Sequence, residues 1–306
     1  MAGKRLVPWI GWAWTVSLVA CAHRPPPTAH FTPLVVESSS AGGVRPLVRA
    51  TVAGHPITLL LDTGSFRSML PWGFAKTHGL IAKSRDTEER VVDATGNMVG
   101  LLRVFDVSIQ FAGETSTDTL DFFINPSLGT EGILAPQDLV RSGWALIIDL
   151  GREELRYEPE EAALKRIARG SSAPVRQLDF HRCLNEGLFQ EYHRIVTAAI
   201  NGVAADMLID TGASHTVLTR NNPAVSTMLD KRGKRDTVTA MTSQGPILVV
   251  DDVPVVFSGT SFVLPILVSP NSSLCWRGAV GADLLRHCTL VWGSDSLWAA
   301  CDAPHR

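Results

Sequence analysis

The sequence predicts a mainly β protein whose body is built from two similar lobes. Residues 48–64 match residues 196–212 without a gap, at a constant offset of 148. Each copy has the pattern of a strand, a turn at a glycine, and a strongly apolar second strand that ends in Asp-Thr-Gly. Most other segments are short strands separated by turns. A repeat of this length indicates one architecture that occurs twice.

The repeat extends through the rest of both lobes. Three further segment pairs correspond, and the last segment of each half is predicted to form a hairpin: 105–113 with 251–259, 132–139 with 278–285, and 145–157 with 288–301. We therefore predict an N-terminal lobe over 45–158 and a C-terminal lobe over 178–306. The intervening segment 159–177 is predicted to be a linker that begins with a short helix, because a proline and acidic residues precede basic residues and Gly170.

The N-terminus has the layout of a secretory signal. Basic residues precede an apolar stretch that is too short for a comfortable membrane span. Residues 18–21, Leu-Val-Ala-Cys, resemble the lipobox of bacterial lipoproteins, in which the cysteine is lipidated. We therefore predict a signal peptide over 1–20, a lipid on Cys21 and a flexible tether over 21–44, which places the body at the bacterial cell envelope. The alternative is cleavage nearby, which would leave a soluble secreted or periplasmic protein.

The body contains four more cysteines, an even number that favours disulfides in an exported protein. Cys288 and Cys301 flank a predicted two-residue turn at 294–295, and in that register they face each other as a non-hydrogen-bonded pair. Cys183 then pairs with Cys275 by elimination. The alternative is four reduced, buried thiols.

Composition limits the range of functions. The net charge is −2, and 45% of the residues are hydrophobic and 19% charged. These values are ordinary for a globular protein and give no reason to expect nucleic-acid binding. The histidines show no metal-ligand spacing, so no metal site is expected.

The repeated Asp-Thr-Gly carries the chemistry. Asp62 and Asp210 each follow a buried strand, and the glycine two residues later lets the chain turn and bring backbone N–H groups to the carboxylate. A carboxylate held in this way is suited to proton transfer. Because the two aspartates occupy matching places in a repeat, we expect them to act as a pair.

Residues 59–65 and 208–214 resemble the active-site motifs of the aspartic peptidases, in both the pepsin-like and the retroviral branches. Residues 279–281, Ala-Val-Gly, are similar to the apolar-apolar-Gly element of that family, whereas the first lobe has Ala135 where glycine is usual. The resemblance covers about residues 45 to 301. It implies two pseudo-symmetric, retropepsin-like β-barrel lobes with an active-site cleft between them.

The resemblance also implies an endopeptidase that acts on a peptide or protein. Asp62 and Asp210 would share one proton and activate a water, without a metal, nucleotide or other cofactor. The supporting residues of the two active-site loops are then Thr63, Gly64, Ser65, Thr211, Gly212, Ala213 and Ser214. The two threonines are expected to hydrogen-bond across the lobe interface. Ser65 is expected to orient one carboxylate, a role that Ala213 cannot share.

The family further implies a flap over the cleft. The candidate is a hairpin over 90–99 with Thr95, Gly96 and Asn97 at its tip, and 237–248 could form a second flap. The pepsin-like flap tyrosine is missing from this hairpin, and the lobes are shorter than those of pepsin. Both features favour two retropepsin-like units fused in one chain, which pair within a monomer.

One alternative function remains open at this stage. The chain could be a catalytically inactive envelope lipoprotein that binds peptides or proteins on a peptidase fold. The usual sign of that state is the loss of one acid, and here both acids are present. The retained pair therefore favours the enzyme.

Overall fold

The computed structural model describes residues 29–38, 42–92, 98–183, 193–232, 234–236, 247–270 and 276–303. These residues form a mainly β protein with two lobes, which confirms the predicted fold class. The strands of the N-terminal lobe are β1 (His30–Ser38), β2 (Val44–Val52), β3 (His55–Leu61), β4 (Met69–Pro71), β5 (Arg85–Val92), β6 (Met98–Phe111), β7 (Asp118–Asn125), β8 (Gly132–Leu134), β9 (Trp144–Asp149) and β10 (Glu154–Pro159).

The C-terminal lobe repeats this order of elements. Its strands are β11 (Arg176–Gln177), β12 (Phe180–Cys183), β13 (His193–Ile200), β14 (Val203–Ile209), β15 (Val217–Thr219), β16 (Lys234–Asp236), β17 (Ile247–Phe257), β18 (Thr260–Ser269), β19 (Gly278–Val280), β20 (Cys288–Gly293) and β21 (Leu297–Cys301). The helices are α1 (Trp72–Thr77), α2 (Pro136–Leu139), α3 (Glu160–Gly170), α4 (Pro223–Arg232) and α5 (Ala282–Leu285), with a 3₁₀ turn at Ile81–Lys83.

The two lobes share one strand order. The N-terminal barrel runs β1-β2-β3-β8-β4-β7-β6-β5, and the pairing of β2 with β6 closes it. The C-terminal barrel runs β12-β13-β14-β19-β15-β18-β17-β16, and the pairing of β13 with β17 closes it. Each strand of one barrel thus has a counterpart at the same place in the other barrel.

The alternation of apolar residues explains how the central strands pack. In β3, Ile57, Leu59 and Leu61 are buried, and in β14 the same alternation buries Met207 and Ile209. Successive side chains of a strand point to opposite faces, so these residues all enter their barrel core. The last buried residue of each strand directly precedes Asp62 or Asp210.

The glycines of the repeat form the turns that the sequence predicts. Gly54 and Gly202 have φ of 82° and 80°, and the preceding Ala53 and Asn201 also have positive φ, at 50° and 49°. Two consecutive residues with positive φ form the tight hairpin turn that matches the twist of the flanking strands. This turn sets the register that delivers each aspartate to its place.

The sheet of the N-terminal barrel continues through β1 into strands that join the lobes, in the order β11-β21-β20-β9-β10-β1. The two predicted closing hairpins, β9–β10 and β20–β21, meet at its centre, where Leu146 pairs with Trp292. Helix α3 lies where the linker helix is predicted, and its Ala163 and Ile167 pack against this sheet. The lobes are therefore connected by continuous backbone hydrogen bonding as well as by the linker.

The predicted pairing of Cys288 with Cys301 is confirmed. The two residues face each other across β20 and β21 and form a disulfide with a Cα–Cα distance of 4.0 Å. Cys183 ends β12. Cys275 lies outside the described residues, so its pairing with Cys183 stays a prediction.

The flexible tether predicted over 21–44 is wrong for part of its length. His30–Ser38 forms β1, which pairs with β10 on one side and β2 on the other. Thr32 and Leu34 are buried by these contacts. The apolar run Leu34-Val35-Val36 was a local signal for this strand, but the proline-, serine- and threonine-rich composition around it favoured a tether.

Other predictions fall on residues outside the described part of the chain. These are the signal peptide, the lipidation site Cys21, the flap tip at Thr95, Gly96 and Asn97, and most of the second flap. Among the residues that are described, no helix has the length and apolar character needed to cross a membrane.

Candidate active site

The two aspartates are placed by matching strand ends. Strand β3 pairs in parallel with β8, and the N–H of Asp62 donates to the carbonyl of Leu134 at 3.0 Å. Strand β14 pairs in parallel with β19, and the N–H of Asp210 donates to the carbonyl of Val280 at 3.1 Å. The backbone of each aspartate is thus fixed by the strand next to it.

Backbone N–H groups also hold the carboxylates. Gly64 and Ser65 donate to Asp62 Oδ1 at 2.8 and 2.9 Å, and Ala213 donates to Asp210 Oδ1 at 3.0 Å. The Ser65 hydroxyl instead donates to a carbonyl, that of Arg67, at 2.9 Å. The expectation that Ser65 orients a carboxylate therefore holds for its backbone N–H and not for its hydroxyl. Ala213 supplies the equivalent contact, which makes this support symmetric.

Thr63 and Thr211 link the lobes, as the sequence predicts. The Thr63 hydroxyl donates to the carbonyl of Ile209 at 2.8 Å and accepts from the Thr211 N–H at 2.9 Å. The Thr211 hydroxyl donates to the carbonyl of Leu61 at 2.6 Å and accepts from the Thr63 N–H at 3.0 Å. All four bonds are buried and run between the lobes, so they fix the relative position of the two active-site loops.

Each motif glycine lies against the carboxylate of the other lobe. A Cβ on Gly64 would lie 2.5 Å from Asp210 Cγ, and a Cβ on Gly212 would lie 2.5 Å from Asp62 Cγ. No real Cβ atom approaches another carbon so closely, so both positions require glycine. These two contacts show that the carboxyls of Asp62 and Asp210 come together at the lobe interface, as predicted.

The surroundings make the two carboxyls weaker acids than free aspartate. Burial raises the pKa of Asp62 well above its ordinary value, and the charge of Asp210 and the hydrogen bond between the two side chains raise it further. Burial also raises the pKa of Asp210, although backbone N–H bonds and the hydrogen bond with Asp62 oppose that rise. The two carboxyls therefore titrate as a coupled pair, which holds a proton more tightly than free aspartate does.

Behind each loop, a short helix supplies a carboxylate. In the N-terminal lobe Asp138 Oδ2 accepts from the N–H of Ser68 at 2.6 Å, and the Ser68 hydroxyl accepts from the N–H of Ala135 at 3.0 Å. In the C-terminal lobe Asp283 Oδ1 accepts from the Thr216 hydroxyl at 2.7 Å. The Thr216 hydroxyl in turn accepts from a backbone N–H of the apolar-apolar-Gly element at 3.2 Å.

The N-terminal loop has room for Ala135 at the position where glycine is usual. Ala135 is fully buried and its N–H keeps the hydrogen bond that its counterpart Gly281 makes in the other lobe. A Cβ on Gly281, by contrast, would lie 2.3 Å from the carbonyl carbon of His215. The N-terminal loop thus leaves room for one methyl group that the C-terminal loop does not.

His193 is a residue of the site that sequence reasoning missed. Strand β13 pairs with β14 so that Ile195 faces Leu208, and continuing this register places His193 opposite Asp210. His193 is buried, and its positive charge lowers the pKa of Asp210. The repeat contains a sequence signal for His193, because Arg45 occupies the matching position in the first lobe. A basic residue thus precedes each aspartate at the same distance. Arg45 is held by Glu37 at 3.2 Å and by Glu131.

Ser214 is the remaining residue predicted for the two loops. Its carbonyl accepts from the N–H of Val44 at 3.0 Å, and its hydroxyl lies 3.0 Å from His215 Nδ1.

No three histidine, cysteine, aspartate or glutamate side chains come together as metal ligands anywhere in the part of the chain that is described.

Comparisons with known proteins agree with this geometry. The family model described as "Aspartyl protease" matches residues 48–135 and 196–258, so each matched segment contains one of the two aspartates. Among solved structures, the crystal structure of Basic 7S globulin from soybean is similar to this chain, with a TM-score of 0.55 and 10% identity. The likeness covers 90% of this chain and 95% of that chain, and at this identity it concerns the fold alone. No curated protein matches the sequence.

Proposed function

We propose that the chain, which matches the "Aspartyl protease" family model in both lobes, is an aspartic endopeptidase that cleaves peptide bonds with Asp62 and Asp210. The observation that carries this proposal is the pair of buried carboxyls that meet between the lobes, where burial raises the pKa of both. Such a pair supplies an acid and a base at the same place.

We assign the role of acid to Asp62, whose pKa burial raises well above its ordinary value, and the role of base to Asp210. Asp210, as the ionised partner, takes a proton from a water whose oxygen attacks the peptide carbonyl carbon. Asp62 gives its proton to the carbonyl oxygen, which produces a neutral tetrahedral diol. Asp210 then protonates the leaving nitrogen while one diol hydroxyl returns its proton to Asp62. The C–N bond breaks, and the pair regains its starting state.

This mechanism requires one proton on the pair, so we expect a bell-shaped dependence of rate on pH. Below the lower apparent pKa of the pair both carboxyls are protonated and no base remains. Above the higher apparent pKa of the pair both are ionised and no acid remains. Since burial raises both pKa values, the active range should lie above that of free carboxyls.

The test is cleavage of a diverse peptide library by the chain from Ala22 onward, over about pH 3–8. Asp62→Asn and Asp210→Asn should each lower kcat by about 10²–10⁴-fold, since acid–base catalysis contributes that much. Asp295→Asn, in the exposed turn of the closing hairpin, is the matched control and should retain the wild-type rate. A folded wild type that cleaves nothing would favour the inactive, peptide-binding alternative.

We also propose that the body works at the cell envelope as a monomer, held by a lipid on Cys21. The disulfide between Cys288 and Cys301 supports an oxidising compartment. Cys21→Ser should release the protein from the membrane fraction and abolish incorporation of labelled fatty acid. A variant that remains in the membrane fraction and is still labelled would contradict this anchoring.

A further inference from the structure

The outer face of the N-terminal barrel carries one row of side chains that begins beside Asp62. Leu60 lies two residues before Asp62, on the face opposite to the buried Leu59 and Leu61. Directly opposed residues of neighbouring strands share a face of the sheet. The register continues the row from Leu60 through five more strands, in the order Ile133 of β8, Met69 of β4, Phe123 of β7, Arg103 of β6 and Arg85 of β5. The row therefore leads from the active site to the edge strand of the barrel.

The part of the row nearest to the catalytic pair is apolar. Leu60 and Ile133 are partly exposed, and Met69 and Phe123 are buried. Phe66 packs against Phe123 with ring centroids 6.1 Å apart, and it is itself partly exposed. This part of the row offers a substrate an apolar wall without charge.

The far end of the row is basic. The guanidinium carbon of Arg103 lies 5.5 Å from the ring centroid of Phe123 and 4.6 Å from that of Phe105. The guanidinium carbon of Arg85 lies 5.4 Å from the Phe105 centroid, so two arginines contact one ring that is 40% exposed. Stacking occupies the flat face of a guanidinium and leaves its N–H edge for hydrogen bonds. The apolar wall thus ends in a pair of positive charges at the protein surface.

Arg103 is held in place and still has unused donors. Asp121 Oδ2 accepts from Arg103 Nη2 at 2.9 Å, and Oδ1 of the same carboxylate accepts from the N–H of Asp106 at 3.0 Å. Asp106 has a φ of 51° and lies in the β-bulge of β6, so one carboxylate fixes both the bulge and the arginine. Among the side chains that the structure describes, the Nε of Arg103 is buried without a hydrogen-bond partner, and Arg85 has no ion-pair partner. Since a guanidinium has five N–H donors, most donors of this pair are left for a ligand.

The C-terminal barrel has the same row without this basic end. Its register runs from Leu208 through the matching strands to Ala279, Val217, Leu267, Val249 and Lys234. Val249 therefore stands at the position that Arg103 occupies in the N-terminal lobe. Because the backbone plan is common to both lobes, the fold does not require an arginine there.

We propose that Arg103 and Arg85 are specificity-determining residues, which bind the carboxylate of an aspartate or glutamate side chain in the peptide substrate. Unused guanidinium donors beside an apolar wall fit a carboxylate, because charge-assisted hydrogen bonds from arginine to carboxylate are short and strong. This assignment rests on the proposed peptidase function and adds to it a preference for acidic sequences.

The row also sets how far this carboxylate lies from the bond that is cut. The guanidinium of Arg103 lies near Phe123, and β7 is three strands away from β3. Neighbouring strands are about 4.8 Å apart and an extended peptide advances about 3.4 Å per residue, so the distance of about 14 Å corresponds to about four substrate residues. We therefore expect the acidic residue about three to five positions from the cleaved bond.

The first test is cleavage of a diverse peptide library by the wild type, followed by kinetics on a matched pair of peptides. Cleaved sites should be enriched in aspartate or glutamate at one position about three to five residues from the bond. The two peptides then differ only by Glu or Gln at that position, and both carry a C-terminal amide. The ratio of their kcat/KM values, Glu over Gln, should be about 10, which is the effect of about one charge-assisted hydrogen bond.

Substitutions test whether this ratio depends on the two arginines. Arg103→Gln should lower the ratio from about 10 to about 1, and Arg85→Gln should lower it to about 3. Arg103→Glu should favour a Lys peptide over the Glu peptide, a reversal that loss of stability alone does not produce. Arg169→Gln, an exposed arginine at the end of α3, is the matched control and should keep the wild-type ratio. A ratio near 1 in the wild type, or an unchanged ratio in Arg103→Gln, would overturn the proposal.

The second test measures binding without cleavage. Asp210→Asn, with and without Arg103→Gln, would be titrated with labelled, amidated peptides in which one Glu replaces Gln at successive positions. Fluorescence anisotropy gives the Kd of each. At least one Glu peptide should bind about tenfold more tightly than the all-Gln peptide, and Arg103→Gln should abolish that difference.

A further peptide separates the two sources of a carboxylate. The all-Gln peptide with a free C-terminus should bind no more tightly than its amide, since the site is assigned to a side chain. A tenfold gain from the free C-terminus would contradict that assignment. A wild type that cleaves no peptide would refute the peptidase function, whereas equal Kd values for all the peptides would refute the acidic site.

Discussion

The two lobes have the same backbone plan and different charges around it. Both bring an aspartate to the end of an apolar strand and hold it with N–H groups of the following loop. Beside these loops, the N-terminal lobe has Arg45 and Arg67, and the C-terminal lobe has His193 and His215 at the matching positions. The repeated apolar strands therefore preserve the fold, whereas side chains at the edge of the site differ between the lobes.

This difference makes the two carboxyls inequivalent despite their symmetric setting. His193 lowers the pKa of Asp210, and the hydrogen bond with Asp62 lowers it as well. Arg45 is engaged by two glutamates and is not among the influences on the pKa of Asp62. A symmetric scaffold therefore carries different charged side chains around the two carboxyls.

The largest expected effect tests the symmetry itself. Gly64→Ala and Gly212→Ala each force a Cβ to within 2.5 Å of the opposite carboxyl carbon. Both should lower kcat about 10²-fold or more, because small displacements of catalytic groups are that costly. Gly73→Ala, whose Cβ would meet nothing within 4 Å, is the control and should keep full activity. If only one of the two variants is impaired, the glycine contacts are not equivalent.

A matched pair of substitutions behind the two loops tests whether the lobes differ in the space available for a methyl group. Gly281→Ala places a Cβ 2.3 Å from backbone atoms of His215 and should lower the free energy of unfolding by about 1–3 kcal/mol. Ala135→Gly, the reverse change in the other lobe, should cost about 1 kcal/mol or less. Urea denaturation measures both. Equal losses would mean that the N-terminal loop has no extra room.

The threonine bonds between the lobes should be equivalent. Thr63→Val and Thr211→Val each leave a buried N–H and a buried carbonyl without a partner. Each should lower the free energy of unfolding by about 1–2 kcal/mol. Thr260→Val, which removes a partly exposed bond to Cys301, is the control and should cost less. Two threonine variants that differ widely in stability would show that one loop depends on the lobe interface more than the other.

The smallest effect concerns His193. Its charge lowers the pKa of Asp210, so His193→Gln should raise that pKa and move the acidic limb of the pH–rate profile to higher pH. Arg45→Gln, the matching change in the first lobe, should leave that limb in place. The measurement is kcat/KM against pH for both variants and the wild type. An unmoved limb in His193→Gln would show that the histidine does not influence the pair.

Much of the fold could be predicted from local sequence. The strand, glycine turn and apolar strand before each aspartate are encoded within seventeen consecutive residues, 48–64 and 196–212. The disulfide followed from the register of one hairpin, and α3 from its charge pattern. These features depend on neighbours in the chain, which is why the pattern alone revealed them.

The errors concern contacts between distant segments. Strand β1 was missed because the composition around its apolar run favoured a tether, and no local pattern indicates that His30 pairs with Tyr157. The Ser65 hydroxyl was assigned to a carboxylate that its backbone N–H binds, since residue type does not distinguish the two donors. His193 was overlooked because its place opposite Asp210 depends on strand register, which residue spacing around the motif does not show.

The sheet that joins the lobes also has a consequence for aggregation. Strand β9 is almost wholly apolar, its residues 145–149 are all buried, and its outer edge pairs with β20 of the other lobe. An N-terminal lobe produced alone, by truncation or by cleavage in the linker, would leave this edge open. Open, apolar strand edges pair with other copies of themselves. The N-terminal lobe therefore depends on its partner for solubility as well as for the second carboxylate.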